Sequence, residues 1–271
     1  MDARRKPFDD ADLLTKFEQE ILQEPYRGYY AAKRNNFFAS IEGFTDLWDC
    51  FMLSNTIRLR EFEDMGKVRD PDRMFPPILS MNGHLKMLIA MELGFSSCLT
   101  EAYSILRDAI ESVAHGHRLF SDPALQTIWL QKNDGGSAIQ DFNREFWYEK
   151  EDKLFDGIPE LFKWWKRFSD VGAHTNLNSI VSRFAIQQTP TDVTWRVNYI
   201  GVELRVLIPA LFEMLLAFHV MEEVFYKDCE NRLKLDTGLV DLRTKFQHGK
   251  EELRKKIIRS FNIQRPAPIT P

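Results

Sequence analysis

Residues 78–119 read ILSMNGHLKMLIAMELGFSSCLTEAYSILRDAIESVAHGHRL, and the fold turns on how this stretch is read. Apolar side chains recur three and four positions apart, at Leu85, Leu88, Leu99, Ala102, Leu106, Ala109 and Val113. That is the period of one helix face, so the spacing predicts a single long core helix from Ile78 to Leu119. A second set with the same spacing, Ser97, Thr100, Ser104, Arg107, Glu111 and His115, shares another face. This polar face is either solvated or a site.

Upstream, the prolines at 71, 76 and 77 make residues 66–77 a connector that cannot be helical. Before it, Phe37, Phe38, Ile41, Phe44, Trp48, Phe51 and Met52 predict a helix from about Tyr29 to Met65. Leu13, Leu14, Phe17 and Ile21 predict a shorter amphipathic helix over residues 10–23, closed by Pro25 and Gly28. Downstream, Ser121-Asp122-Pro123 is a helix start, and Gly135-Gly136 is a turn: it follows no strand and lacks the lysine of a phosphate loop. Helices follow over residues 138–153 and 159–169. Phe184, Ile186 and Gln188 then alternate with polar positions, and after a Thr-Pro-Thr-Asp turn come the β-branched and aromatic residues of 193–200. That is a small β-hairpin near residues 184–199. Helical spacing returns for 201–231 and for 238–262.

The chain has 271 residues, 44% of them hydrophobic and 28% charged, with 21 Phe and 6 Trp. A chain this long buries about three quarters of its unfolded surface, enough for a large core without staples. Its formal charge of −4 argues against coating nucleic acid by bulk electrostatics. Cys50, Cys98 and Cys229 stand far apart in apolar helical patterns, which suits reduced core thiols of a cytoplasmic protein. Arg4, Arg5 and Lys6 are followed by acids rather than an apolar run, so a secretory signal is not expected. The most hydrophobic window, Ile200 to Met221, holds Glu203, Arg205, Glu213 and His219, which makes it a buried helix and not a membrane span. The fold expected is mainly α, a multi-helix bundle in a single domain. It comprises an N-terminal helical arm (1–75), a bundle core (78–230) and a C-terminal helix (238–262).

Two constellations carry chemistry. Arg107 and Glu111 lie one helical turn apart on the polar face. The run Trp164-Trp165-Lys166-Arg167-Phe168-Ser169-Asp170-Val171-Gly172-Ala173-His174 lies at a helix junction. An arginine followed by a histidine at such a junction resembles the Arg-X4-6-His motif of HEPN domains. Together with Glu92-Leu93-Gly94 and Leu106-Arg107-Asp108-Ala109-Ile110-Glu111-Ser112, it also resembles a bacterial family allied to abortive-infection proteins, over roughly residues 81–221. Phe168 departs from the usual pattern, which has a polar residue after the arginine.

The resemblance implies a HEPN-like bundle and a metal-independent ribonuclease or defence protein that works as a homodimer on RNA. Arg167 would then steady phosphate and His174 would be the general acid or base, with Arg107, Glu111 and Ser169 supporting. An antitoxin or other protein partner is also implied. The chemistry is sound, because a guanidinium holds two phosphate oxygens and imidazole titrates near neutral pH. A second reading makes Arg107, Glu111, Ser169 and His174 a buried clasp that locks two helices in a non-catalytic dimerisation or partner-binding protein.

No metal and no cofactor is expected. Glu111 with His115, and His219 with Glu222 and Glu223, are near-misses on stretches expected to be solvated. His115 and His117 read as cations at a helix C-terminus. A basic strip of Arg243, Lys245, His248, Lys250, Arg254, Lys255, Lys256 and Arg259, interleaved with Leu239, Leu242, Phe246, Leu253 and Ile257, reads as an exposed helix face able to meet RNA or another acidic partner.

Overall fold

The computed structural model describes residues 26–65, 75–146, 151–173, 184–189, 192–197, 204–230 and 237–261. The expected helix at 10–23 and His174 lie outside these residues. The described chain is mainly helical. Its helices are α1 (Tyr26–Gly43), α2 (Thr45–Met65), α3 (Phe75–Phe95), α4 (Leu99–Ser121), α5 (Leu125–Leu130), α6 (Ser137–Phe146), α7 (Glu151–Leu154), α8 (Pro159–Phe168), α9 (Leu204–Cys229) and α10 (Thr237–Phe261). A π-helical turn, Ser169–Ala173, continues α8. Strands β1 (Phe184–Gln188) and β2 (Val193–Val197) pair antiparallel, with the Phe184 Cα opposite that of Val197.

The stretch 78–119 is two helices, not one. The Cys98 amide bonds the Leu93 carbonyl at 2.8 Å and the Ser97 amide bonds that of Gly94 at 2.9 Å, and Ser97 has φ +64°. These are the two bonds and the left-handed residue of a Schellman stop, normally announced by glycine. Serine takes the position here, so the pattern of apolar residues gives no warning of the break.

The hairpin that results packs α3 and α4 against each other at close range, through glycine. A Cβ on Gly83 would stand 2.8 Å from Val113 Cγ2 and 2.9 Å from the Ala109 carbonyl; one on Gly116 would meet Ser80 Oγ at 2.9 Å. Leu106, Ala109, Ile110 and Ala114 are fully buried in this contact and the layer behind it. The expected Tyr29–Met65 helix is also split, at Phe44, whose amide bonds the Ser40 carbonyl at 2.9 Å.

The core lies between the α3–α4 hairpin and α9, with α2, α8 and α10 closing it. Phe51 meets Phe95 and Phe218 edge-on, joining α2, α3 and α9, and Tyr103 of α4 packs on Phe168 of α8. By length and composition, Leu204–Cys229 is the one described helix that could cross a membrane. Leu207, Leu211, Met214, Leu215, Phe218 and Met221 nevertheless face the other helices and are buried. Cys50, Cys98 and Cys229 are buried free thiols. The structure corrects the reading of His115: it sits two turns inside α4 against Phe146 and Phe142, and burial drives its pKa down to about 4, so it is neutral. For His117 the shift has the opposite sign, its pKa raised against the effect of burial by a 2.8 Å contact with Asp228.

Gly83→Ala should lower stability by about 1–3 kcal/mol, since neither Val113 nor the α4 backbone can retreat without opening the hairpin. Urea unfolding read by circular dichroism checks this.

Candidate functional site

The polar face of α4 meets α8. Arg107 Nη2 donates to Glu111 Oε1 at 2.9 Å, and Trp165 Nε1 of α8 donates to the same oxygen at 2.9 Å. The Arg107 guanidinium lies 5.4 Å from the Trp165 ring centroid. Both charged side chains are about three-quarters covered, so the pair is worth more than an exposed i,i+4 bridge. The two helices are thus tied together through Trp165, which was not a member of the expected clasp; His174, which was, lies outside the described residues. Ser169 takes no part across the junction: its hydroxyl donates to the Trp165 carbonyl one turn back, at 2.8 Å.

Two residues further along α8, Arg167 is half exposed and holds Glu213 of α9 through Nε and Nη2 at 3.2–3.4 Å. Glu213 also engages the Tyr103 phenol, whose pKa is raised by burial and by that carboxylate. The π-helical turn Ser169–Ala173 starts two residues after Arg167 and ends just before His174. Among the predicted site residues, the structure thus brings Arg107 and Glu111 together and sets Arg167 beyond them on the same helix junction.

A second polar group is buried where α2, α9 and α10 meet, and here two sequence readings are corrected. Glu222 is 3% exposed rather than solvated. Arg243 leaves the basic strip and turns inward to Glu222, Glu223 and, at 3.2 Å, Glu61, with its guanidinium 3.7 Å from the Tyr226 ring centroid. Lys250, expected on the same exposed face, is also buried.

Glu61 is fully buried, and burial together with Glu222 pushes its pKa up to about 8 against the pull of Arg58. Burial raises Glu222 as well, but His219 and Arg243 outweigh it and hold the pKa low. The pair is therefore one protonated carboxyl beside one carboxylate. Arg58, 2% exposed, stands 3.8 Å from Glu61 and over the Phe225 ring at 4.7 Å; its guanidinium makes no hydrogen bond among the described residues. It borders a cavity of about 10 Å³ with His84, whose pKa burial and Arg58 lower to about 3.

His219, Glu222 and Glu223 each offer a ligand atom within 4.8 Å of the others, a spacing that could hold a metal ion. Arg243 already puts a cation on both carboxylates. The outward part of the strip, Lys245, His248, Lys255, Lys256 and Arg259, lines a cleft of about 730 Å³ against α2. Acids share that cleft: Lys256 pairs with Asp46 at 2.6 Å and Lys255 with Glu252 at 2.7 Å.

No family model, characterised protein or solved structure matches this chain.

Trp165→Phe keeps the ring and removes the donor to Glu111, so it should cost about 1–2 kcal/mol, read as a lower thermal midpoint. A pH dependence also follows. The proton on Glu61 is held up to about pH 8 in the folded chain, against an ordinary value of 4.5. Between those values the folded state binds more protons than the unfolded one, so this group makes stability fall as pH rises. The low pKa of Glu222 acts in the opposite sense only below its ordinary range. Glu61→Gln should therefore flatten the decline in urea midpoint between about pH 5 and 8.

Proposed function

We propose that this chain is a HEPN-like helical-bundle protein acting on RNA, a metal-independent endoribonuclease or defence protein of the cytoplasm. Arg167 is its phosphate anchor and His174 its proton carrier. The observation that supports this reading is the junction itself: a half-exposed guanidinium in the last turn of α8, followed at once by the π-helical turn Ser169–Ala173 that leads to residue 174. π-turns recur at functional sites because they shift the register of the helix face that follows. Lys166, exposed on α8, adds positive charge beside Arg167.

The chemistry asks little more of the protein. The ribose 2′-hydroxyl attacks the adjoining phosphorus and the 5′-oxygen leaves, so one group must take a proton and one must give it. A cation on the non-bridging oxygens lowers the barrier. Glu213, at 3.2–3.4 Å, holds Arg167 in place through long contacts that a phosphate could replace. The Arg107–Glu111–Trp165 clasp fixes the helix that carries Arg167, a positioning role.

That same clasp favours a second reading, a non-catalytic protein that binds a protein partner. Its donors meet their acceptor within the fold, and it holds two helices together without any ligand.

The test is cleavage of a mixed RNA pool without added metal, by the unaltered chain, His174→Ala and Arg167→Ala, each with a thermal melt. The proposal predicts cutting by the unaltered chain and a loss of about 10²-fold or more in both variants, with melts unchanged. No cutting by the unaltered chain, with His174→Ala melting several degrees lower, supports the second reading instead.

A further inference from the structure

We infer that the outer face of the α2–α3 pair is a contact surface for a second copy of this chain. Ile78, Met81, Leu85 and Ile89 are spaced three, four and four apart on α3 and are 50%, 41%, 55% and 50% exposed. At about 100° per residue they fall within an arc of roughly 80°. The opposite side of α3 buries Pro76, Leu79, Ala90 and Met91, so apolar side chains occupy two opposite sides of the helix, with Asn82 and Lys86 on the flank between them. Two apolar sides are more than packing on one neighbour buries.

The stripe extends onto α2. The two helices run antiparallel, since Phe51 meets Phe95 at one end and Phe62 meets His84 towards the other. They face each other across the small cavity through Phe51 and Arg58 on one side and His84 and Leu88 on the other. Met52 and Leu59 follow Phe51 and Arg58 by one residue, as Leu85 and Ile89 follow His84 and Leu88. Equal turns on antiparallel helices lead to the same side, so Met52 and Leu59, 38% and 48% exposed, continue one apolar surface. Charges bound it: Glu92, 56% exposed, lies in the same arc one turn beyond Ile89 and pairs with Lys33 at 2.8 Å, Glu63 is exposed one turn beyond Leu59, and Lys86 on the flank leans to Asp108 at 4.0 Å.

The pattern of the stripe selects the occupant. It reads nearly the same in both directions, so a two-fold axis between Met81 and Leu85 sets Ile78 on Ile89 of the partner subunit and Met81 on Leu85 of the partner subunit. Apolar then meets apolar throughout, as an isologous contact requires. Half of each of the four α3 side chains is about 400 Å² per protomer, or about 800 Å² across the axis, the size of a weak, reversible contact. The stripe lies well over a quarter turn from the side of α3 that packs on α4. The contact therefore does not depend on the RNA reading.

Sedimentation of the full chain at tens of micromolar tests this, with Leu85→Glu and Ile89→Glu beside it. The expected result is twice the 31.8 kDa chain mass for the unaltered protein and the single mass for both variants, with helical circular dichroism retained. Leu85→Cys, which stays apolar, should be cross-linked across the axis by a short bismaleimide. A monomer at all concentrations overturns the inference and leaves the stripe to residues 1–25 or to another protein. A dimer that survives both glutamates, with no Leu85→Cys cross-link, overturns it as well and puts the contact elsewhere.

Discussion

Carboxylates taken out of water must be neutralised, and the joint between α2, α9 and α10 is built on that constraint. Glu61 and Glu222 are buried side by side, too close for both to ionise, and the α10 side chain that reaches them is Arg243. The guanidinium spans Glu61, Glu222 and Glu223 and stacks on Tyr226, so one residue ties the C-terminal helix to two others. A proton held on Glu61 balances what remains. Removing one partner of such a group strands the others, which makes the joint specific as well as strong. Around it the packing is ordinary: edge-on aromatics, and the glycine-mediated approach of α3 to α4.

The two polar constellations divide the molecule's work. The joint at Arg243 is closed, its charges consumed by one another. At the α8 junction, Arg107, Glu111 and Trp165 are likewise consumed in holding α4 to α8, but Arg167 stands half in solvent on the helix they secure. Rigid support beneath the half-exposed Arg167 is what the proposed phosphate site relies on.

Periodicity made most of the helices legible, and α10 most of all: 238–262 was expected and Thr237–Phe261 is observed. It failed at Ser97, where a Schellman stop used serine for glycine and the apolar spacing ran on across the turn. The Arg107–Glu111 pair could be read from i,i+4 spacing, but its third member could not. Trp165 is 54 residues from Glu111, and sequence spacing reports neighbours on one helix and not across two. The Arg243 joint was hidden for the same reason, its partners lying 182 and 21 residues away. Arg243 itself looked like any other cation of a basic face. A charged residue declares its burial only through partners, and these come from other helices.

The most direct test of this account is a double-mutant cycle on Arg243→Met and Glu222→Met in urea. If the joint is a buried, mutually neutralised group, each single variant should cost about 3–5 kcal/mol, and the double variant should fall short of the sum by about 2 kcal/mol or more. Losses that add to within about 0.5 kcal/mol would mean that the two side chains do not act on each other, and would contradict it.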